Sequence, residues 1–207
     1  MAKTSGGTRA SSPLSLSASR AIRANNGDVV YRATDDEMRQ LLSASYYDNV
    51  VRFMGYDERI WQKTLFNQET GGYVVTELSR IPKRDAHQNV KDVFEKEQAM
   101  CRDLAGFGFG VRHLYERAGR TDPDVNVDYG THSLVEINGI KADLKALNNS
   151  NNIRREAKDV YESGKAQIAI FKFTQHDSRI PREINKLRNK GWHGIYYYAG
   201  ENRRHDF

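Results

Sequence analysis

Two residues of opposite charge, Asp143 and Lys145, lie two positions apart within the stretch VEINGIKADLKAL at positions 135–147. Alternate residues of a β-strand project from the same face, so an acid and an amine at this spacing lie side by side. A carboxylate can accept a proton, and an ammonium group can stabilise the negative charge that develops on a phosphate. The same pair also fits an ordinary ion pair on a solvent-exposed sheet face.

The dipeptide Asn138-Gly139 separates two runs of alternating apolar residues, which is typical of a two-residue β-hairpin turn. Counting outwards from this turn fixes the predicted register. The apolar face contains three pairs: Ile137 with Ile140, Val135 with Ala142, and Ser133 with Leu144. The polar face contains three others: Glu136 with Lys141, Leu134 with Asp143, and His132 with Lys145. We therefore expect Asp143 and Lys145 to point away from the core, with His132 opposite the lysine.

The segment after the predicted hairpin is rich in groups that bind phosphate. The sequence NNSNN supplies short polar side chains, and the helix after it begins with Arg154 and Arg155. Arginine in the first helical turn opposes the helix dipole, a cost that is offset if a phosphate binds the free amides there. The predicted nucleic-acid-binding residues are Ser150, Asn151, Asn152, Arg154, Arg155 and Lys172.

Helices and strands alternate in the part of the chain that carries these residues. One predicted helix ends at Gly106 and has an inner stripe made of Val90, Val93, Phe94, Glu97, Cys101 and Leu104. Besides the hairpin, strands are predicted at 110–115, 125–127, 167–173 and 195–198. This order of elements predicts an α+β fold in which a small antiparallel or mixed sheet packs against helices.

The composition limits the classes of partner. The chain has 207 residues, a formal net charge of +5 and a sequence pI near 9.2, which permits nucleic acid as a partner. No apolar run approaches the length of about 18 residues that a membrane span needs, so we expect no membrane partner. The single cysteine, Cys101, excludes an intrachain disulfide and a cysteine-based zinc site. We interpret residues 1–28 as a disordered tail, 29–84 as a helical N-terminal extension and 85–207 as the α+β domain.

Five segments between positions 85 and 200 resemble a known family. They are FEKEQAMCRDLAGFGFGV, PDVNV, INGIKADLKAL, NNSNNI and KAQIAIFKF. They are similar to the C-terminal nuclease module of contact-dependent inhibition proteins, the CdiA tRNase type of the barnase, EndoU, colicin and RelE-like superfamily. Related modules occur in phage and mobile-element proteins. The resemblance implies a toxin-like ribonuclease that cleaves tRNA without a metal or other cofactor, acts in the cytoplasm and has a cognate immunity protein.

Cleavage of RNA without a metal uses the 2′-hydroxyl as nucleophile and needs a general base and a cation at the phosphate. His132 is the histidine that the predicted register places on the polar face, which makes it the candidate base or acid. Lys145 is the candidate cation, because the neighbouring acid favours its charged form. The predicted catalytic residues on this interpretation are Lys145, Asp143 and His132.

The same region also resembles the PD-(D/E)XK nucleases. Pro123-Asp124 followed by Asp143-Leu144-Lys145 matches their short motif, and Glu97 matches the carboxylate that they often carry on the preceding helix. This alternative implies a DNA nuclease in which Glu97, Asp124 and Asp143 bind Mg²⁺, while Lys145 positions or activates water. A third alternative is a nucleic-acid-binding accessory module that retains the fold and has no activity.

Overall fold

The computed structural model describes residues 21–23, 29–43, 45–115, 122–128 and 139–207. The helices are α1 Asp35–Leu42, α2 Tyr46–Gly55, α3 Gln88–Gly106, α4 Ile153–Tyr161 and α5 Ile180–Arg188. The strands are β1 Ala21–Arg23, β2 Val29–Tyr31, β3 Trp61–Phe66, β4 Tyr73–Glu77, β5 Gly110–His113, β6 Val125–Asp128, β7 Gly139–Leu147, β8 Ile168–Phe173, β9 Gly194–Tyr198 and β10 Arg204–Asp206. Within these ranges, no helix combines the length and the apolar character that crossing a membrane requires.

Eight of the described strands form one mixed sheet with the spatial order β10-β9-β8-β7-β6-β5-β4-β3. Its centre is an antiparallel meander of β5, β6 and β7, after which β7, β8 and β9 run parallel to one another. On the other side, β4 is parallel to β5 and pairs with the antiparallel edge strand β3. The predicted α+β class is confirmed. The sheet is larger than predicted, because β3 and β4 join it from the stretch before residue 85.

Helices cover both faces of the central strands. On one face, Ala142 of β7 packs in a cluster with Leu104 of α3. On the other face, Leu147 of the same strand packs with Ile153 of α4 and Ile184 of α5. Alternate residues of a strand point to opposite faces. The even-numbered residues of β7 therefore face α3, and the odd-numbered ones face α4 and α5.

The helix α3 is packed along only part of its length. Its buried residues all lie between Gln98 and Ala105. The predicted inner stripe is therefore wrong at its start, since Val90 and Val93 are 43% and 47% exposed. The apolar spacing in these turns is helical, but only the C-terminal half of the helix is packed closely enough to bury side chains.

The strand β7 has neighbours on both edges, which makes the predicted hairpin pairing wrong. Ala142 pairs with Val125 of β6 on one edge and with Ile168 of β8 on the other, so no edge remains for Val135. The alternation of apolar and polar residues in β7 is compatible with these neighbouring strands and equally compatible with a hairpin partner. The predicted turn dipeptide begins outside the described residues, and His132 also lies outside them.

Candidate functional site

Two carboxylates from neighbouring strands meet in the middle of the sheet. Asp124 comes directly before β6 and Asp143 lies within β7, and the antiparallel register of these strands sets the two residues side by side. Asp124 Oδ2 accepts a hydrogen bond of 2.7 Å from the N–H of Leu144. Asp143 is fully buried and Asp124 is 7% exposed, so both acids are withdrawn from bulk water.

Two lysines contact these acids. Lys145 Nζ lies 2.9 Å from Asp143 Oδ2. Lys165 Nζ lies 2.5 Å from Asp143 Oδ1 and 3.6 Å from Asp124 Oδ1. Neither oxygen of Asp143 accepts a hydrogen bond of good geometry, so charge attraction holds this buried carboxylate. The ammonium group of Lys165 therefore lies between two acids, where a small cation would also be attracted.

The helix α4 supplies two further acids. Glu156 Oε2 lies 3.5 Å from Lys145 Nζ, and Asp159 Oδ2 lies 3.2 Å from it. The expectation that Asp143 points away from the core is wrong, because α4 packs on this face of β7 and the carboxylate is fully buried. The side chain of Lys145 is 18% exposed, so the lysine is the member of the original pair that a ligand can reach.

Burial and neighbouring charges change the pKa values of these groups. Burial raises the pKa of Asp124 well above its ordinary value, and the charge of Asp143 raises it further, against the opposing effect of Lys165. Burial lowers the pKa of Lys145, but the contacts with Asp143 and Asp159 outweigh burial and leave this pKa above its ordinary value. Lys145 is therefore a fixed positive charge at neutral pH, as the sequence predicts.

This group of residues has an excess of negative charge. Four carboxylates contact two ammonium groups and, at Glu156, the guanidinium group of Arg155, which leaves a net charge of −1 when all seven groups are ionised. We call the group the acid–lysine cluster, and its members are Asp124, Asp143, Lys145, Glu156, Asp159 and Lys165.

The cluster fits a magnesium ion bound by few protein ligands. Among the described residues, no three His, Cys, Asp or Glu side chains are grouped so that they could hold a metal ion. A cation at this place would therefore be bound by Asp124, Asp143 and water. Mg²⁺ prefers oxygen ligands and usually keeps several waters while one or two carboxylates bind it. The carboxylate of Asp143 is fully buried and held by the two ammonium groups, so an ion that replaced one of them would meet its charge.

Two predicted site residues, Glu97 and Lys172, have other partners. Glu97 Oε2 forms an ion pair with Arg80 and lies 2.8 Å from His113 Nε2, on the α3 side of the sheet. Lys172 Nζ lies 2.6 Å from Asp103 Oδ2 of α3. Both residues therefore lie across the sheet from Lys145, and the structure does not bring them to the acid–lysine cluster.

The start of α4 presents most of the predicted nucleic-acid-binding residues to solvent. The exposed ones are Asn151, Asn152, Arg154 and Arg155. Arg155 Nη2 lies 2.8 Å from Glu156 Oε1, and Glu156 in turn contacts Lys145. Ser150 differs, because it is buried and its hydroxyl donates a hydrogen bond of 2.6 Å to Asp177 Oδ2. The exposed polar and basic residues thus lie on the helix whose acids touch Lys145.

Three residues of the acid–lysine cluster are missed by the sequence patterns. Glu156 and Asp159 are three positions apart and share one face of α4. A helix that connects two neighbouring parallel strands must pack on the sheet, which is the signal that could have placed these acids over β7. Lys165 follows Gly164, whose φ of 72° is typical of a residue that ends a helix. The chain then enters β8 beside β7, which brings Lys165 to Asp143.

No protein-family model and no curated protein sequence matches this chain. Among solved structures, it is similar to a chain of the CdiA-CT/CdiI toxin and immunity complex from Burkholderia pseudomallei, with 19% sequence identity and a TM-score of 0.45. The match covers 65% of this chain and 97% of that chain.

Proposed function

We propose that the chain is a nuclease that hydrolyses phosphodiester bonds with Mg²⁺ bound by Asp124 and Asp143. The observation that carries the proposal is the meeting of these two acids through the register of β6 and β7, with Lys145 in contact with Asp143. This is the arrangement that the resemblance to the PD-(D/E)XK nucleases implies for the same residues. Their burial and the excess negative charge of the cluster add a physical reason for a divalent cation to bind there.

The four acids and Lys145 have distinct roles in this proposal. Mg²⁺, when bound, supplies Lewis acidity toward the phosphate and lowers the pKa of a coordinated water. The N–H of Leu144 holds the Asp124 carboxylate in its orientation. The partly exposed ammonium group of Lys145 contacts a phosphate oxygen and stabilises the negative charge that develops in the transition state. Glu156 and Asp159 hold that ammonium group in place.

The substrate of the proposed reaction is nucleic acid. The exposed Arg155 contacts Glu156, which in turn contacts Lys145, so a backbone bound at the start of α4 can continue to the cluster. The net charge of +5 favours a polyanion. The sequence resemblance to CdiA tRNase-type modules favours RNA, and tRNA in particular, with a cognate immunity protein as a partner and the cytoplasm as the place of action.

Metal-independent cleavage of RNA is the second candidate. The observation that favours it is the presence of two ammonium groups, those of Lys145 and Lys165, beside the same carboxylate. Such groups can stabilise a charged phosphate without a metal. The candidate general base of this mechanism, His132, lies outside the described residues.

Incubation of the purified chain with total tRNA and with plasmid DNA, in EDTA and in Mg²⁺, tests the proposal. We expect cleavage of tRNA that requires Mg²⁺ and stops in EDTA. Asp124→Asn, Asp143→Asn and Lys145→Met should each lower the rate by about a hundredfold or more, since each removes a group that acts on the transition state or holds the ion.

Matched variants away from the cluster control for loss of charge. Asp36→Asn removes an acid that is 73% exposed and paired with Arg39, and Lys158→Met removes a lysine of α4 that is paired with Glu162. Both should cleave at the wild-type rate. RNA cleavage that persists in EDTA would support the metal-independent candidate. A folded chain that binds tRNA and cleaves neither substrate would instead be an accessory module.

A further inference from the structure

Lys165 occupies the place of a cation in the acid–lysine cluster. Its Nζ lies 2.5 Å from Asp143 Oδ1 and 3.6 Å from Asp124 Oδ1. The side chains of Asp143 and Asp124 are 0% and 8% exposed, and that of Lys165 is 13% exposed. Two acids that are buried so close together repel each other, and an ammonium group between them relieves that repulsion.

The ammonium group can leave this place while the backbone of Lys165 stays fixed. The N–H of Lys165 donates a hydrogen bond of 3.2 Å to the carbonyl of Val160, which ties the residue to the last turn of α4. Gly164, with a φ of 72°, sets the direction in which the chain leaves the helix. Only the flexible four-carbon side chain has to move.

Mg²⁺ and the Lys165 ammonium group cannot occupy this place together. Mg²⁺ binds its oxygen ligands at about 2.1 Å, and Asp143 Oδ1 is already in contact with the ammonium group. Two positive charges at such a separation in a buried site repel each other strongly. Binding of the ion therefore requires movement of the lysine.

We propose that Lys165 is a built-in competitor of the divalent cation. Its ammonium group compensates the charges of Asp124 and Asp143 when no metal is bound, and Mg²⁺ binds by displacing it. The inference rests on the proposed function, because it assumes that these two acids are the metal ligands. It assigns to Lys165 a role that differs from that of Lys145: Lys165 sets the affinity for the ion, whereas Lys145 acts on the phosphate.

Calorimetric titration of the full chain with MgCl₂ tests the inference without measuring activity. Lys165→Met keeps a similar side-chain length and removes the charge, so it should bind Mg²⁺ about tenfold or more tightly than the wild type. Lys165→Arg keeps the charge and should bind Mg²⁺ no more tightly than the wild type. Lys158→Met, on the same helix and paired with Glu162, should bind it like the wild type.

Thermal unfolding provides a second readout. Without Mg²⁺, Lys165→Met leaves Asp124 and Asp143 without the compensation that the ammonium group provides. The variant should therefore melt at a lower temperature than the wild type, and added Mg²⁺ should raise its Tm more than it raises that of the wild type. If the variant folds only when Mg²⁺ is present, the dependence of Tm on Mg²⁺ concentration gives the same comparison of affinities.

The outcomes separate this inference from the proposed function. If the wild type binds Mg²⁺ and Lys165→Met binds it equally or more weakly, Lys165 is not a competitor and the nuclease proposal is unaffected. If neither the wild type nor Lys165→Met binds Mg²⁺, the inference and the metal-dependent mechanism both fail. Tighter binding by Lys165→Met with unchanged binding by Lys158→Met supports the inference.

Discussion

At the scale of the residue, Glu97 has the surroundings of an acid that stabilises the fold and lacks those of a metal ligand. Burial raises the pKa of this carboxyl, but its contacts with His113 and Arg80 outweigh burial and bring the pKa below its ordinary value. Its Oε2 atom is thus already in contact with Arg80 and His113 on the α3 side of the sheet. We therefore propose that Glu97 stabilises the fold and does not bind Mg²⁺.

Replacement of this acid by Glu97→Gln should lower the free energy of unfolding at neutral pH and leave the affinity for Mg²⁺ unchanged. A carboxyl group whose pKa is lower in the folded than in the unfolded state stabilises the fold above its unfolded pKa, and this contribution is lost as the pH falls through the folded value. The difference in stability between wild type and variant should therefore shrink as the pH falls below the ordinary value of 4.5. Denaturant titrations at several pH values measure this difference in the free energy of unfolding. Weakened Mg²⁺ binding by the variant would contradict the prediction and make Glu97 a metal ligand.

The sequence could predict which residues share a face, but not which of them are buried. The spacing of Asp143 and Lys145 is enough to place both on one face of a strand. The burial of Asp143 depends on α4, which comes after β7 in the chain and folds back over it. Lys165 is similarly absent from any local motif, because its contact with Asp143 arises from the parallel pairing of β7 with β8.

At the scale of the element, α4 joins exposed arginines to acids of the acid–lysine cluster. Its first turn carries the exposed Arg154 and Arg155 together with Glu156, and its second turn carries Asp159. Both acids contact Lys145. One rigid helix thus fixes the distance between the basic residues and the ammonium group. We propose that a phosphate backbone runs along this helix start before it reaches the acid–lysine cluster.

The double variant Arg154→Ala/Arg155→Ala should weaken tRNA binding without affecting the fold. Counterion release scales with phosphate contacts, so the slope of log affinity against log salt should become shallower by about one to two units. Fluorescence anisotropy in an Asp143→Asn background measures binding without cleavage. Arg39→Ala/Arg59→Ala removes two other exposed arginines and should keep the wild-type slope. An unchanged slope in the first double variant would place the phosphate contacts elsewhere.

Local signals predict single elements well and their partners poorly. Thr34 and Glu37 form a capping box, in which the Glu37 N–H lies 3.0 Å from Thr34 Oγ1. The strand predicted at 167–173 is present as β8. The predicted pairing of β7 was wrong for a different reason. Alternation of apolar and polar residues indicates which residues share a face of a strand, but it does not indicate which strand lies beside it. Both neighbours of β7 are set by the order of the whole sheet.

At the scale of the whole molecule, the sheet crosses the boundary predicted near residue 85. Met38 and Val74 belong to the same core cluster as Val111, which lies on the other side of that boundary. Tyr73 of β4 donates a hydrogen bond to the buried carboxylate of Asp128 in β6. β4 also pairs along its length with β5. The part of the chain before residue 85 therefore contributes directly to the layer that positions the acid–lysine cluster.

A chain restricted to residues 85–207 should accordingly fail to fold into the structure seen in the full chain. Loss of β4 would expose one edge of β5. The shortened chain would also lack the hydroxyls of Tyr56 and Tyr73, which donate hydrogen bonds to Asp128. A buried acceptor that loses a partner costs about 1–3 kcal/mol, and the core cluster would lose Val74 and Met38 as well. Far-UV circular dichroism and denaturant unfolding compare the shortened chain with the full chain as the control. The opposite result would be cooperative unfolding of the shortened chain with a Mg²⁺ affinity equal to that of the full chain. It would show that residues 85–207 form an independent domain and that β3 and β4 are an addition to it.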